Sequence, residues 1–459
     1  MEQLRLSRHR QFGSKSEQTP ADDYVQLSLF DEPEVYSTPD QAEPTMAEIV
    51  QSYKRRKKAA TERLPEDLPV EIIDDTLPES ARHCGACQAP YVNIGVETRD
   101  TLKLAPAKAY ILRERRHVYA CKACEATSDS TPIDKAPIPP ALLPGSLASA
   151  EAVALLMTQK FVLGTPLYRQ EQDWKGRGIL LSRQTMSNWL VACSERYVKP
   201  LLAVMHQQLV EQPVLHADET PLQVLHEPGK APQSKSYMWL YRTGACSRHP
   251  LVLFDDQPDR KGQHPSDYLA GFQGYLHTDG YSGYNQFPPG ITRVGCWAHA
   301  RRTFEEALQA QPPKRRKSSP AAEGKRFCDR LFGIEADLKA LDPDTRHQQR
   351  QEKAKPQVEA FFTWLKQLPP LGKTLFANAV TYGLNQEAAL RVYLTDGRLE
   401  LSNNLAERTI KPFVIGRKNF LFANTPRCAD ASARIYSLVE TAKANELNPY
   451  DYLLWILKQ

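Results

Sequence analysis

PVLHADETPLQVL, residues 213–225, decides how this sequence is read: a short apolar run, VLHA, ends on Asp218 and is followed closely by a turn. GYLHTDG, residues 274–280, repeats the arrangement, with YLHT leading to Asp279. Strand ends present side chains at a sheet edge where a substrate can approach, and carboxylates on neighbouring strands can share a hard cation through oxygen. Around these runs lie SYMWLYRTG, HPLVLFDD and ITRVGCWAH. Their separations allow an early antiparallel meander with a later strand returning beside the first. AHARRTFEEALQA then opens a helix, residues 320–395 are helix-like, and the helix of SNNLAERTIKPF comes only after them. A mixed sheet interrupted by a helical insertion is the simplest description, and no repeat of fixed period is present.

Within SNNLAERTIK, Asn403, Glu407 and Lys411 recur every four residues and share one helix face, which puts an acid between an amide and a cation. Asp218, Asp279 and Glu407 together suit two divalent ions held about 3.5–4 Å apart. One ion activates the attacking oxygen and the other stabilises the leaving 3' oxygen, so in-line displacement at a phosphodiester needs no covalent protein intermediate. Taken singly, a strand-end Asp is more often a turn former and a helical Glu more often solvated. Order and setting carry the joint reading. Glu219, Asp255, Asp256 and Glu400 remain rivals, since spacing alone does not exclude a neighbouring acid.

A chain of 459 residues exceeds one core, and roughly 150 residues per domain predicts about three. Apolar residues make up 41%, enough to bury cores, while the 35 prolines exceed the usual share and are expected in linkers. No apolar run approaches the roughly 18 residues of a membrane span, and MEQLRLSRHR lacks the apolar stretch of a secretory signal, so a soluble, cytoplasmic protein with no membrane partner is expected. The net charge of +5 is modest, but basic residues cluster at YKRRKKAA, RERRH, AHARR, PPKRRKSS and RTIKPFVIGRK. Several such runs in one chain point to a polyanion, with nucleic acid the candidate. PPKRRKSS reads more simply as a charged insertion loop.

Organisation follows from these shifts in texture. Residues 1–18 are a basic segment, 19–80 a flexible Pro-rich and charged linker, 81–130 a zinc-binding unit and 131–148 a Pro-rich linker containing APIPPALLPG. Residues 149–212 form a helical unit, 213–319 the first part of an α/β core, 320–395 the helical insertion, 396–427 the core helix with Glu407, and 428–459 a helical C-terminal segment. In the zinc unit, Cys84-x-x-Cys87 and Cys121-x-x-Cys124 offer four thiolates, the ligand set of a closed structural zinc site, with His83 and His117 as neighbours. The gap between the pairs is longer than usual, so a hairpin built on the alternating YILRERRHVYA must bring them together. The other five cysteines read as core thiols.

Three helices fit residues 149–212, with Thr165-Pro166 opening the second, GRG ending it and Ser182 as N-cap of the third. This is helix-turn-helix grammar, and Arg183, Gln184 and Ser187 would then face a DNA groove. An ordinary helical spacer is the competing reading. His299, Arg301 and Arg302 open a helix where cations and backbone donors can contact phosphate, although a His beside Trp297 is as readily packed. Arg408, Lys411, Arg417 and Lys418 surround Glu407 and are candidates for neutralising DNA phosphates.

HADETPLQVL, HTDGYSGYNQF, GCWAHARRTF and LSNNLAERTIKPFVIGRKNFLFANT resemble the signature blocks of TnpC-type transposases of the insertion-sequence sixty-six family. The resemblance covers most of the chain, including QFGSKSE, both cysteine pairs, TPLYRQE and LVETAKANELNPYDYLLWIL. It implies an RNase H-like core with an Asp-Asp-Glu triad and a helical insertion before the Glu, and on these blocks the triad maps to Asp218, Asp279 and Glu407. The fold class expected is thus multidomain α+β, with a zinc-ribbon-like unit and a helix-turn-helix-like unit ahead of that core. The activity expected is metal-dependent cleavage of DNA ends and strand transfer for a bacterial insertion sequence. Catalytic Mg2+ (Mn2+ in its place), structural Zn2+, transposon-end and target DNA, a homodimer or higher assembly, and small accessory proteins of the same element complete the expectation. Only about ten residues precede QFGSKSE, where the resembling family has a coiled-coil-like helix, so a shortened N-terminus is expected. The rival functions are a DNA-binding remnant without catalysis and a stand-alone metal nuclease.

Overall fold

The computed structural model describes Gln3, Leu6 and residues 109–120, 133–369 and 372–459. The chain divides into two units, residues 14–138 and residues 1–13 together with 139–459. In the first, β1 (Val118–Ala120) pairs antiparallel with β2 (Ile133–Lys135). The strand expected over YILRERRHVYA is confined to its last three residues, those paired with β2, and Tyr110, Ile111 and Leu112 stay exposed. Cys84, Cys87, Cys121 and Cys124 lie outside the described residues.

The second unit begins with α1 (Ala150–Phe161), α2 (Leu167–Gly176), α3 (Arg183–Cys193) and α4 (Lys199–Val210). Ser149 and Ser182 cap α1 and α3 by accepting from Ala152 N and Thr185 N, satisfying amides that the first turn leaves free. The third predicted helix is divided: α3 and α4 join through a π turn, Ser194–Val198. Pro200 explains the break, since it has no N–H to return to the carbonyl one turn earlier. Val153, Leu156, Met157, Met186 and Cys193 are fully buried in one cluster with the sheet that follows.

That sheet has five strands: β3 (Val214–Gln223), β4 (Lys235–Thr243), β5 (Val252–Gln257), β6 (Gly274–His277) and β7 (Ile291–Val294). Their order is β5-β4-β3-β6-β7, antiparallel from β3 to β5 and parallel from β3 through β6 to β7. This is the meander with a returning strand that the apolar runs predict. Met238, Trp239, Leu240 and Tyr241 of β4 have no exposed surface, as suits a strand covered on both faces.

From β7 the chain enters α5 (Trp297–Gln309), then α6 (Pro320–Leu338), α7 (Lys355–Gln367) and α8 (Leu375–Asn385). A second apolar cluster centres on Trp297, Phe304, Phe361 and Phe362, and burial of each such side chain contributes about 1.5–3 kcal/mol. After it, α9 (Asn404–Phe420) returns to the sheet, followed by α10 (Pro426–Ala444) and α11 (Pro449–Leu457). Helix α10 covers the edge strand β5, where Thr441 and Ser437 accept from the outward amides of Val252 (3.0 Å) and Phe254 (2.8 Å). An otherwise open strand edge is closed in this way. Among the described residues no helix is long and apolar enough to cross a membrane. Of the five cysteines expected in cores, Cys193, Cys296 and Cys328 are buried and Cys428 is half-buried, whereas Cys246 is exposed because it sits in the turn between β4 and β5.

Candidate active site

Parallel pairing of β3 with β6 sets His216 opposite His277. Two residues on, Asp279 lies just past the end of β6, whereas Asp218 is not at the strand end that the sequence suggested: β3 runs on to Gln223 because β4 continues to pair with it, and period-two alternation puts Asp218 on the face of His216. Helix α9 supplies the third acid. It runs alongside β3 in the same direction: Asn403 Nδ2 donates to Ala217 O (2.8 Å), Arg417 Nη1 to Thr220 Oγ1 (3.2 Å) and Ala423 N to Gln223 O (2.9 Å). Glu407 lies in the first turn, its amide bonded to the Asn403 carbonyl at 3.2 Å. The three acids converge electrostatically. Burial first, then the negative charges of Glu219, Glu407 and Asp279, push the Asp218 carboxyl well above its ordinary range.

The rival acids are engaged elsewhere. Glu219 points to the opposite face from Asp218; its side chain is 1% exposed and both oxygens are taken, by Arg260 and by the Tyr284 hydroxyl. Arg260 also lies over the Tyr281 ring at 3.8 Å, and Tyr281 N donates to Asp279 Oδ1 at 2.8 Å, so the Glu219 cluster steadies the loop carrying Asp279. Gly280 permits that loop to pass Tyr382, whose ring carbon would lie 2.6 Å from an added Cβ. Asp255 and Asp256 belong to β5, two strands away from Asp218. Burial and then the charges of Glu227, Asp255 and Asp430 push Asp256 up to about 8.

A carboxyl with a raised folded pKa stays protonated in the native state while the unfolded chain ionises, so it withdraws stability as pH rises from about 4 to about 8. Asp256→Asn should therefore melt a few degrees above the parent at pH 8.5 and level with it near pH 3.5. Calorimetry at the two pH values checks this; an equal offset at both would mean that charge is not the cause.

Glu407 differs from all of these. Its Oε1 is buried without a hydrogen-bond partner, and His299 Nδ1, likewise unpartnered, stands 3.5 Å away. Arg302 Nη2 approaches Glu407 Oε2 at 3.3 Å. Arg301, by contrast, is bound to Asp329 of α6 at 2.6 Å. On α9, Arg408 and Lys418 are exposed and Lys411 is half-buried. Arg183 and Gln184 are exposed on α3, with Ser187 half-buried; Gln184 Nε2 bonds Asn188 at 3.1 Å and Arg183 lies 5.5 Å from the Tyr168 ring.

Beneath the acids is a polar layer that reading the sequence missed. His216 Nδ1 meets Asn403 Oδ1 and His216 Nε2 meets Glu400 Oε2, both at 2.9 Å. His216 and His277 stack with ring centres 4.2 Å apart. Glu400 Oε1 accepts from Ala245 N at 2.7 Å. Burial and then the neighbouring His216 hold His277 well below the ordinary histidine range, hence neutral. The signal was present as His-x-Asp after both apolar runs, HAD and HTD.

Comparison with known proteins fits this arrangement. Residues 145–431 match the family described as "Transposase IS66 family". The chain belongs to that family. Two further matches place the description "zinc-finger binding domain of transposase IS66" on residues 81–125 and "Transposase C of IS166 homeodomain" on residues 1–73. Relatives of this IS66 transposase-family chain include two proteins of Sinorhizobium fredii (strain NBRC 101917 / NGR234). Protein y4qI is 28% identical, covering 98% of this chain and 83% of its own length. Protein y4jD is 30% identical, covering 89% and 80%. Membership in a transposase family makes DNA the partner, and the zinc-finger match supports a structural zinc.

Proposed function

We propose that this chain is an Asp-Asp-Glu transposase that cleaves the ends of a bacterial insertion sequence and joins the freed 3' hydroxyl to target DNA. The observation that carries the reading is the placement of Asp218 within β3, Asp279 just past the end of its parallel neighbour β6 and Glu407 in the first turn of the helix that runs along β3, close enough for each charge to act on Asp218. The strand order, with an antiparallel meander flanked by two parallel strands, supports an RNase H-like core. The donor set fits hard divalent cations: three carboxylates, one with a buried oxygen that no protein group satisfies. Two Mg2+ ions, or Mn2+ in their place, would be held by Asp218, Asp279 and Glu407 and would supply the charge that activates an attacking oxygen and stabilises a leaving one. Asn403 fixes the helix that carries Glu407, the Glu219 cluster fixes the loop that carries Asp279, and Arg302 balances charge beside Glu407. Cys84, Cys87, Cys121 and Cys124 are the proposed zinc ligands.

The test incubates purified protein with labelled element-end duplex, a target duplex and Mg2+. Cleavage followed by joining supports the proposal. Binding without product favours a DNA-binding remnant, and nicking without joining a stand-alone nuclease. Paired ends imply at least a dimer, which light scattering on the DNA complex would report.

For α3 the proposal is DNA contact through Arg183, Gln184 and Ser187, with Arg408, Lys411, Arg417 and Lys418 along α9 and His299 and Arg302 on α5 as further phosphate contacts; Arg301, held by Asp329, is not among them. Arg183→Ala should weaken end binding and reduce the slope of log K against log salt by about one. Fluorescence anisotropy across a salt series measures it; an unchanged slope would remove Arg183 from the phosphate contacts.

A further inference from the structure

We infer that His216, His277 and Glu400 form a second metal site, separate from the acid triad and suited to a zinc-like dication. Hydrogen-bond direction fixes the His216 tautomer. Asn403 Nδ2 donates to the Ala217 carbonyl, so its Oδ1 is the atom facing His216 Nδ1 and can only accept. His216 Nδ1 therefore carries a proton. In a neutral imidazole Nε2 is then a lone pair, and it stands 2.9 Å from a carboxylate oxygen that is also a lone-pair donor. Two such atoms approach closely only around a cation.

His277 supplies the second observation. It has no exposed surface, neither ring nitrogen has a hydrogen-bond partner, and its Nε2 lies 3.5 Å from the same Glu400 oxygen. The three ligand atoms fall within 4.8 Å of one another. Ligands at about 2.0–2.1 Å from a tetrahedral zinc stand about 3.4 Å apart, a value between the 2.9 Å and 3.5 Å that separate the two histidine nitrogens from the Glu400 oxygen. Two imidazoles and one carboxylate favour zinc over magnesium, which prefers oxygen alone. The Asn403 contact to His216 is the outer partner that fixes a ligand's tautomer. The parallel rings must tilt toward one another for both lone pairs to meet one ion, and no hydrogen bond holds His277 against that rotation.

Each ligand belongs to the segment bearing one catalytic candidate: His216 precedes Asp218 by two residues, His277 precedes Asp279 by two, and Glu400 leads into α9 and Glu407. One ion would thus pin all three segments. The competing occupant is a proton, giving an imidazolium at His216 paired with Glu400.

Zinc content of the full chain, measured by mass spectrometry after gel filtration in zinc-free buffer, separates the two. The expected count is two per chain in the parent and one in Cys84→Ser/Cys121→Ser. Adding His277→Gln or, independently, Glu400→Gln to that variant should remove the last zinc while circular dichroism stays unchanged. A parent with one zinc and a cysteine variant with none would overturn the site. So would a last zinc that survives both substitutions. The readout is metal content, so loss of the strand-transfer proposal would leave this one standing, and the reverse.

Discussion

Asp218→Asn should abolish strand cleavage and joining, with a rate loss of about 10³-fold or more, equivalent to roughly 4 kcal/mol of transition-state stabilisation. The same substitution should make the metal-free protein more stable at neutral pH. The Asp218 carboxyl is pushed up by burial and by three neighbouring acids, so its ionisation is resisted in the native state and free in the unfolded chain. For an acid with a raised folded pKa, stability is greatest below the unfolded pKa and falls as pH climbs toward the folded one. Asparagine removes that loss. Gel-based cleavage assays and thermal melts in chelator report the two effects, and their opposite signs are the diagnosis. A variant that loses activity and stability together would make Asp218 a structural residue; one that keeps cleaving would end the triad proposal.

Arg350→Ala should be the most damaging single change to stability, costing about 3–5 kcal/mol. The Arg350 side chain is 1% exposed, pairs with Glu335 through Nε (2.8 Å) and Nη2 (2.7 Å), and donates to the carbonyls of Tyr393, Asp396 and Leu399. Truncation strands a carboxylate and three carbonyls with no replacement donors. Arg350→Lys should rescue little, because an ammonium cannot span a carboxylate and three diverging carbonyls. Urea unfolding measures both, and a loss under about 1 kcal/mol for the alanine variant would show that water takes over the role. The held segment, Tyr393 to Leu399, leads directly into Glu400 and α9, so DNA cleavage should also fall although Arg350 belongs to the helical region.

Much of this architecture can be read from the sequence because it is local. Apolar runs of four to six residues mark β3 to β7, and the Ser182 cap marks the start of α3. Asp218 and Asp279 are visible as acids following apolar runs, although only Asp279 ends its strand, and Glu407 shares its helix face with Asn403. What stays hidden depends on pairing between distant segments. His216 and His277 acquire meaning only when β3 and β6 pair in parallel, and Asn403 only when its amide reaches Ala217. Arg301 looks like any exposed helical cation until α6 brings Asp329 to it. Likewise the rival acids separate only through their partners: Glu219 is saturated, Asp255 and Asp256 are two strands distant, and Glu400 is turned to the histidines.

The route of α9 along β3 has a bearing on synthesis. Two acids are made early, on β3 and just after β6, and the third arrives only after the whole helical region has been translated. On the proposed reading, a nascent or prematurely terminated polypeptide lacking α9 is incapable of cutting the chromosome. Nuclease competence would then be conferred late in translation, when the last ligand docks against the first strand.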